Sequence, residues 1–200
     1  MVYHSESQYR MVESSMRAVC FTNKNWSIQN YLVSHGQSRL AYERESGYSR
    51  RNLYTRQRRE LILKIVKERK IVIIIDETGE PKKGKATDYV ARQYLGRLGK
   101  IDNGIVAVVS YGLVDGLTFP LMFEIYKPKE RLKLNDSYLS KPQIASQMIR
   151  EIKAMGFEID CVLADSLYGE STSTFIRCLQ GLNLQVAVAI RSNHGVRLPA

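Results

Sequence analysis

The sequence predicts an α/β domain in which one mixed sheet is flanked by helices. Three features predict it: an unbroken aliphatic run, a pair of apolar segments joined by an Asp-Gly turn, and later apolar strands that alternate with helical patterns. Alternating strands and helices are typical of an α/β sheet, and a hairpin adds an antiparallel section to it. The predicted order is strand, hairpin, helix, strand, helix, strand.

The N-terminal part of the chain is less informative. Residues 1–50 are polar, serine-rich and weakly periodic, so their structure stays uncertain, and we treat residues 51–200 as a separate domain. Over residues 55–69, apolar residues recur at helical spacing on a strongly basic background, which predicts an amphipathic helix with a basic outer face. Such a face is compatible with simple solvent exposure and with contact to DNA.

The first predicted strand and hairpin come next. Residues 71–75 are all aliphatic and predict a buried strand that ends at Asp76, where a lysine-rich turn begins. Residues 104–126 predict two strands, and the Asp115-Gly116 pair between them is a strong hairpin signal.

The C-terminal half predicts two helices, each followed by a strand. A helix over 141–155 ends at Gly156, and the next strand stops at Asp165. A second helix over about 170–181 leads to a last strand over 184–191. The predicted buried stripe of the first helix consists of Ile144, Met148, Ile149 and Ile152.

Charge and composition restrict the kind of partner. The 200 residues include 30 Lys and Arg against 20 Asp and Glu, a net charge of +10, which favours a polyanion: nucleic acid first, an acidic membrane surface second. No apolar run approaches the ~18–20 residues that span a bilayer, so we expect a soluble, cytoplasmic protein. The three cysteines and three histidines are scattered, which argues against a zinc module and a disulfide framework.

Asp76 and Asp165 occupy equivalent positions, since each ends an apolar strand and precedes a turn-forming sequence. Ligands bind at such strand ends in open α/β sheets. If the two strands are neighbours, their carboxylates converge and repel unless a cation lies between them, and Mg²⁺ is the usual solution. The alternative is that each aspartate is an ordinary turn former or helix cap.

Three segments, "IIIDETGEPKKGK", "VLADSLYGES" and "VAIRSNHGV", occur in the order found in the DDE-superfamily transposases of bacterial insertion sequences, and residues 60–200 resemble this family. The resemblance implies an RNase H-like fold, incomplete at the C-terminus, with Asp76 and Asp165 as catalytic, metal-binding residues. It implies Mg²⁺ or Mn²⁺, two ions in a complete enzyme, acting on double-stranded DNA at transposon ends and target.

The resemblance also implies DNA contacts and an assembly. Lys82, Lys83, Lys85, Arg92 and Gln93 would hold DNA near the site, so that the protein is nucleoid-associated when bound. Two assemblies stay open, a homodimer and pairing with a separately encoded C-terminal half, and no membrane is involved.

A third acid, which this family places on a helix well beyond the last strand, has no counterpart in the sequence. Glu170 is interpreted as a helix N-terminal charge, and Glu77 should point to the face opposite Asp76. We therefore expect a truncated copy, or half of a split reading frame, that is weakly active or inactive by itself.

Two other functions compete with a catalytic transposase. Asp76-Glu77-Thr78-Gly79 is similar to the phosphorylated motif of haloacid-dehalogenase-like phosphotransferases, in which Asp76 would be the nucleophile. The chain could also be a non-catalytic DNA-binding transposase fragment, which its net charge supports equally well.

Overall fold

A computed structural model describes residues 60–66, 68–84 and 87–193. The chain divides into two units, Met1–Lys67 and Glu68–Ala200. In the first, residues 60–66 are helical, within the amphipathic helix predicted over 55–69. The rest of that prediction, and the predicted boundary at residue 50, lie outside the described residues. Within the described ranges, no helix is long and apolar enough to cross a membrane.

One mixed sheet forms the centre of the second unit. β3 pairs antiparallel with β1 along one edge and with β2 and β4 along the other, and β5 and β6 continue from β1 in parallel. This arrangement, with helices packed against it, confirms the predicted mixed α/β class. The strands are β1 (Ile71–Pro81), β2 (Ala91–Leu95), β3 (Lys100–Val114), β4 (Leu117–Ile125), β5 (Ile159–Ala164) and β6 (Gln185–Val188).

Three α-helices flank the described part of the sheet: α1 (Lys141–Ala154), α2 (Ser166–Gly169) and α3 (Arg177–Gly181). A π-helical turn, Thr172–Ile176, precedes α3, and single 3₁₀ turns cover Gly96–Leu98 and Lys129–Arg131.

The helix predicted over 141–155 is confirmed. The backbone N–H of Ser140 donates to the Gln143 side chain at 2.8 Å, which forms a capping box at the start of α1. Gly156 ends the helix with a φ of 92°. The predicted stripe is buried at all four positions: Ile144, Met148, Ile149 and Ile152.

The predicted hairpin is also confirmed. β3 and β4 are joined by Asp115 and Gly116, whose φ angles of 50° and 78° are those that a two-residue hairpin turn requires.

The prediction that the first strand ends at Asp76 is wrong. β1 continues to Pro81 because β3 pairs with it throughout, from Asp76 opposite Val109 to Pro81 opposite Gly104. Only the pairing on its other edge stops, at Ile75 opposite Ala164 of β5. Asp76 therefore marks the end of the parallel pairing rather than the end of the strand.

Other boundaries differ as well. No strand was predicted between the lysine-rich turn and the hairpin, but β2 lies there and pairs with the first residues of β3, from Ala91 opposite Gly104 to Leu95 opposite Lys100. The helix predicted over 170–181 is instead the π turn followed by α3, with α2 before it. The last strand is shorter than predicted, because only Gln185–Val188 pair with β5.

Candidate active site

The backbone register places Asp76 beside Asp165. Ile75 and Ala164 form the last pair of the parallel β1–β5 ladder, and the two aspartates are the next residues of their chains. Neighbouring strands lie ~4.8 Å apart, so the two carboxylates start from adjacent backbone positions. The structure thus brings together the two acids that the sequence singled out.

Each aspartate is oriented by a backbone amide. Asp76 Oδ1 accepts a hydrogen bond from the N–H of Glu77 at 2.7 Å, and Asp165 Oδ1 accepts one from Leu167 at 3.0 Å, which caps α2. The capping role considered for Asp165 is therefore present, and it fixes the carboxylate at the end of β5. Burial raises the pKa of Asp165, and the backbone amides of Leu167 and Tyr168 oppose this shift.

Glu77 lies against α1. Its Oε1 is 3.0 Å from Nζ of Lys141, the first residue of that helix. The alternation of side chains along a strand predicts that Glu77 leaves β1 on the face opposite Asp76, yet its charge still interacts with that of Asp165. Burial raises the pKa of Glu77, and Lys141 opposes the shift.

Tyr168 lies within electrostatic reach of Glu77, Asp165 and Asp76. Its ring is fully buried and packs on Phe175 with centroids 5.4 Å apart. Burial first, and then the charges of Glu77, Asp165 and Asp76, raise the pKa of Tyr168 far above its ordinary value. The hydroxyl interacts electrostatically with Glu77 but makes no hydrogen bond of ordinary geometry. Tyr168 therefore remains a neutral phenol among the acids.

Glu170 does not start a helix, as was predicted, but follows the last residue of α2. Its carboxylate accepts from Nε of Arg191 at 2.7 Å and also pairs with Nη2 of that residue. Arg191 occupies this carboxylate, so Glu170 is not a free ligand next to Asp165.

The two aspartates suit a hard divalent cation. Mg²⁺ is commonly held by one or two carboxylates, with water and phosphate in the remaining positions. Within residues 60–66, 68–84 and 87–193, no group of three His, Cys, Asp or Glu is arranged to bind a metal. The pair fits the protein share of one such ion, and the described part of the chain supplies no third acid.

Two of the three predicted DNA-binding lysines lie away from these acids. Lys82 and Lys83 follow β1, six and seven residues after Asp76. At ~3.3 Å per residue, this is roughly 20 Å along the strand. Lys85 lies outside the described residues.

Arg92 and Gln93 lie on β2, where they line a groove. Three further lining residues were not predicted from the sequence: Tyr126, Lys129 and Tyr138. Lys141 links this groove to Glu77, because its Nζ is 5.6 Å from the Tyr126 ring centroid and 3.0 Å from Glu77 Oε1. The sequence signal that could have revealed this groove is local: residues 126–141 contain two tyrosines and four lysines.

Comparison with known proteins adds a family match. The family described as "DDE superfamily endonuclease" matches residues 44–200. A protein of Microchaete diplosiphon, described as a probable transposase for insertion sequence element IS701, is 60% identical over 141 residues. These residues are 70% of this chain and 37% of that relative's length, so the chain spans little more than a third of it.

A solved structure is also similar, the Mos1 transposase paired-end complex with left transposon end. The TM-score is 0.32 at 14% identity, with 93% of this chain and 61% of that chain covered.

Proposed function

Since the chain belongs to the DDE superfamily endonuclease family, we propose that it contains the acidic site of an insertion-sequence transposase, which cleaves and transfers DNA strands. The observation that supports this most is the adjacent placement of Asp76 and Asp165 at the end of the parallel β1–β5 pairing. Family membership argues against the haloacid-dehalogenase-like alternative, in which Asp76 would act alone as a nucleophile.

In this proposal Asp76 and Asp165 hold Mg²⁺ or Mn²⁺, with two ions in a complete enzyme. The bound metal would supply charge neutralisation at the phosphate and a more acidic water or 3′-hydroxyl. The chain's own contribution is orientation, because the amides of Glu77 and Leu167 hold the two carboxylates in place. The fully buried ring of Tyr168, whose pKa the charges of both aspartates raise, limits water beside them.

The substrate in this proposal is double-stranded DNA, bound in the cytoplasm at the nucleoid. Its contacts would include Lys82, Lys83, Lys85, Arg92 and Gln93. The third acid of the site would come from a homodimer or from a complex with a separately encoded C-terminal half.

A second candidate function is DNA binding without cleavage. It is favoured by the engagement of the two nearest other acids, Glu77 by Lys141 and Glu170 by Arg191. Both functions predict DNA affinity that falls steeply with salt, because neutralising phosphates releases counterions.

Nicking of supercoiled plasmid in Mg²⁺ or Mn²⁺ separates the two functions. We expect Asp76→Asn and Asp165→Asn each to reduce nicking by at least about a hundredfold. Asp160→Asn, which removes an exposed carboxylate at the far end of β5, should leave it unchanged. If the unchanged chain does not nick but binds DNA in a salt-dependent way that Asp76→Asn does not alter, the second function is correct.

A further inference from the structure

The groove beside the acids combines aromatic rings with cations. Its volume is about 200 Å³, enough for a single planar base but too small for a base pair. It lies between the side chains of β2 and the segment that follows β4. Its lining residues are Ala91, Arg92, Gln93, Tyr126, Pro128, Lys129, Glu130 and Tyr138.

Two tyrosines form the aromatic part of this groove. The rings of Tyr126 and Tyr138 meet edge to face, with centroids 6.4 Å apart and an interplanar angle of 71°. Tyr138 is 36% exposed, and the ammonium of Lys129 lies 4.7 Å from its ring centroid. Lys129 is itself exposed, so a base can replace this cation on the ring at small cost.

The polar lining favours an anionic ligand with a π-face. Arg92 and Lys129 are exposed cations at the groove, against the single carboxylate of Glu130. The Gln93 amide donates to the carbonyl of Gly104 at 2.9 Å, which leaves its buried Oε1 without a hydrogen-bond partner. Rotation of this amide would present an acceptor or a donor to a base edge.

Lys141 lies between the groove and the acids. Its ammonium is 3.0 Å from Glu77 Oε1 and 5.6 Å from the Tyr126 ring centroid, and its charge also acts on Asp165. A DNA strand that passed from Asp165 across Lys141 would therefore bring a neighbouring nucleotide close to Tyr126.

We propose that this groove binds one unpaired nucleotide of the DNA strand next to the acidic site, with its base on Tyr138 and its phosphate at Arg92 and Lys129. Base stacking on an aromatic ring tolerates any base and requires the base to be out of the duplex. The inference rests on the proposed DNA substrate and does not require that the chain cleaves DNA.

The test compares single-stranded and duplex DNA binding in EDTA at fixed salt. Fluorescence anisotropy of a labelled oligonucleotide is measured with the unchanged 200-residue chain and with Tyr138→Leu, Tyr138→Phe and Tyr94→Leu. Tyr94 is the matched control, because it is a 58% exposed tyrosine of β2 that does not line the groove. Thermal melting of each variant verifies that it is folded.

We expect Tyr138→Leu to weaken single-strand binding about tenfold. Duplex binding should stay within about twofold, and Tyr138→Phe should retain single-strand affinity because it keeps the ring. Arg92→Gln, a change at an exposed position, should weaken single-strand binding severalfold and reduce its salt dependence.

Three results would overturn the proposal: no single-strand binding by the unchanged chain, an equal loss in Tyr138→Leu and Tyr94→Leu, and an equal loss for single strand and duplex. If cleavage is absent while the Tyr138 effect is present, the catalytic proposal fails and the nucleotide groove stands. If cleavage depends on Asp76 but Tyr138→Leu leaves single-strand binding unchanged, the nucleotide groove fails and the catalytic proposal stands.

Discussion

The ammonium of Lys141 lies 3.0 Å from Oε1 of Glu77, and this ion pair joins the start of α1 to the centre of β1. Both side chains are largely buried, with relative exposures of 20% and 22%. Glu77 follows Asp76, and the charge of Asp165 acts on it as well. The charge of Lys141 acts on both Glu77 and Asp165, so we expect its removal to lower the stability of the fold.

A double-mutant cycle on Lys141 and Glu77 measures this ion pair. Lys141→Met leaves the largely buried carboxylate of Glu77 without this partner, and we expect the free energy of unfolding to fall by about 1–3 kcal/mol. Glu77→Gln should cost less, since the lysine side chain can extend towards water. The coupling energy from urea unfolding should be about 1–2 kcal/mol.

The exposed pair Lys133–Asp88, with an N–O distance of 2.5 Å and side chains more than half exposed, is the control. Its coupling energy should be close to zero, because solvent screens the two charges. Equal coupling in the two pairs would show that burial does not strengthen the Lys141–Glu77 contact.

Divalent metal should stabilise the folded chain through Asp76 and Asp165. At ten times the dissociation constant, binding adds about 1.4 kcal/mol to the free energy of unfolding, or roughly 3–5 °C in the melting temperature of a domain of this size. Asp76→Asn and Asp165→Asn should each abolish the shift between EDTA and Mg²⁺, whereas Asp160→Asn should retain it. Differential scanning calorimetry provides the measurement, and a shift that survives in both Asn variants would place the metal elsewhere.

The sequence predicted this pair of acids because the information is local. Residues 71–75 are apolar on both faces of the strand, which is typical of a strand buried within a parallel sheet, and the segment before Asp165 has the same character. A charge directly after such a run stands out. The strand end itself was misplaced, because residues 76–81 are covered on one edge only, by β3, and tolerate polar side chains there.

The remaining features depend on contacts between distant residues. β2 has five residues of mixed polarity, and its strand conformation depends on pairing with β3. Glu170 follows α2, and its partner Arg191 lies beyond β6, so no local pattern reveals this ion pair. No sequence spacing links Lys141 to Glu77 or to Tyr126, so the groove is visible only in the folded chain.

Gly169 is required where α2 approaches the end of β6. A Cβ at this position would lie 2.2 Å from the carbonyl oxygen of Ala189 and 3.0 Å from Val188 Cβ. We expect Gly169→Ala to lower the free energy of unfolding by about 2–4 kcal/mol, because a backbone atom cannot move aside cheaply. Gly181→Ala is the matched control, since nothing lies within 4 Å of its Cβ position, and it should change stability by less than about 1 kcal/mol. Equal effects in urea unfolding would contradict the close approach.

Asp136 should give the segment between β4 and α1 a characteristic acid dependence. Its carboxylate accepts from Lys127 Nζ at 2.5 Å and from the backbone N–H of Lys133 at 2.9 Å, and Tyr89 donates to it at 3.4 Å. The hydrogen bond from Lys127 is the largest cause that lowers the pKa of Asp136, to about 2.

Because this pKa lies below the unfolded value of about 3.9, the stabilisation is complete above that pH and is lost as the pH falls through about 2. Asp136→Asn should therefore destabilise the chain equally at neutral and mildly acidic pH, and the difference should shrink between about pH 4 and pH 2. Urea unfolding over this range tests the trend, and carbon-detected NMR titration of the Asp136 carboxyl gives its midpoint directly. Asp88→Asn, which removes the exposed partner of Lys133, serves as the comparison. A midpoint near 4 for Asp136 would mean that Lys127 does not hold this carboxylate in solution, and that the segment carrying Tyr138 is not fixed by it.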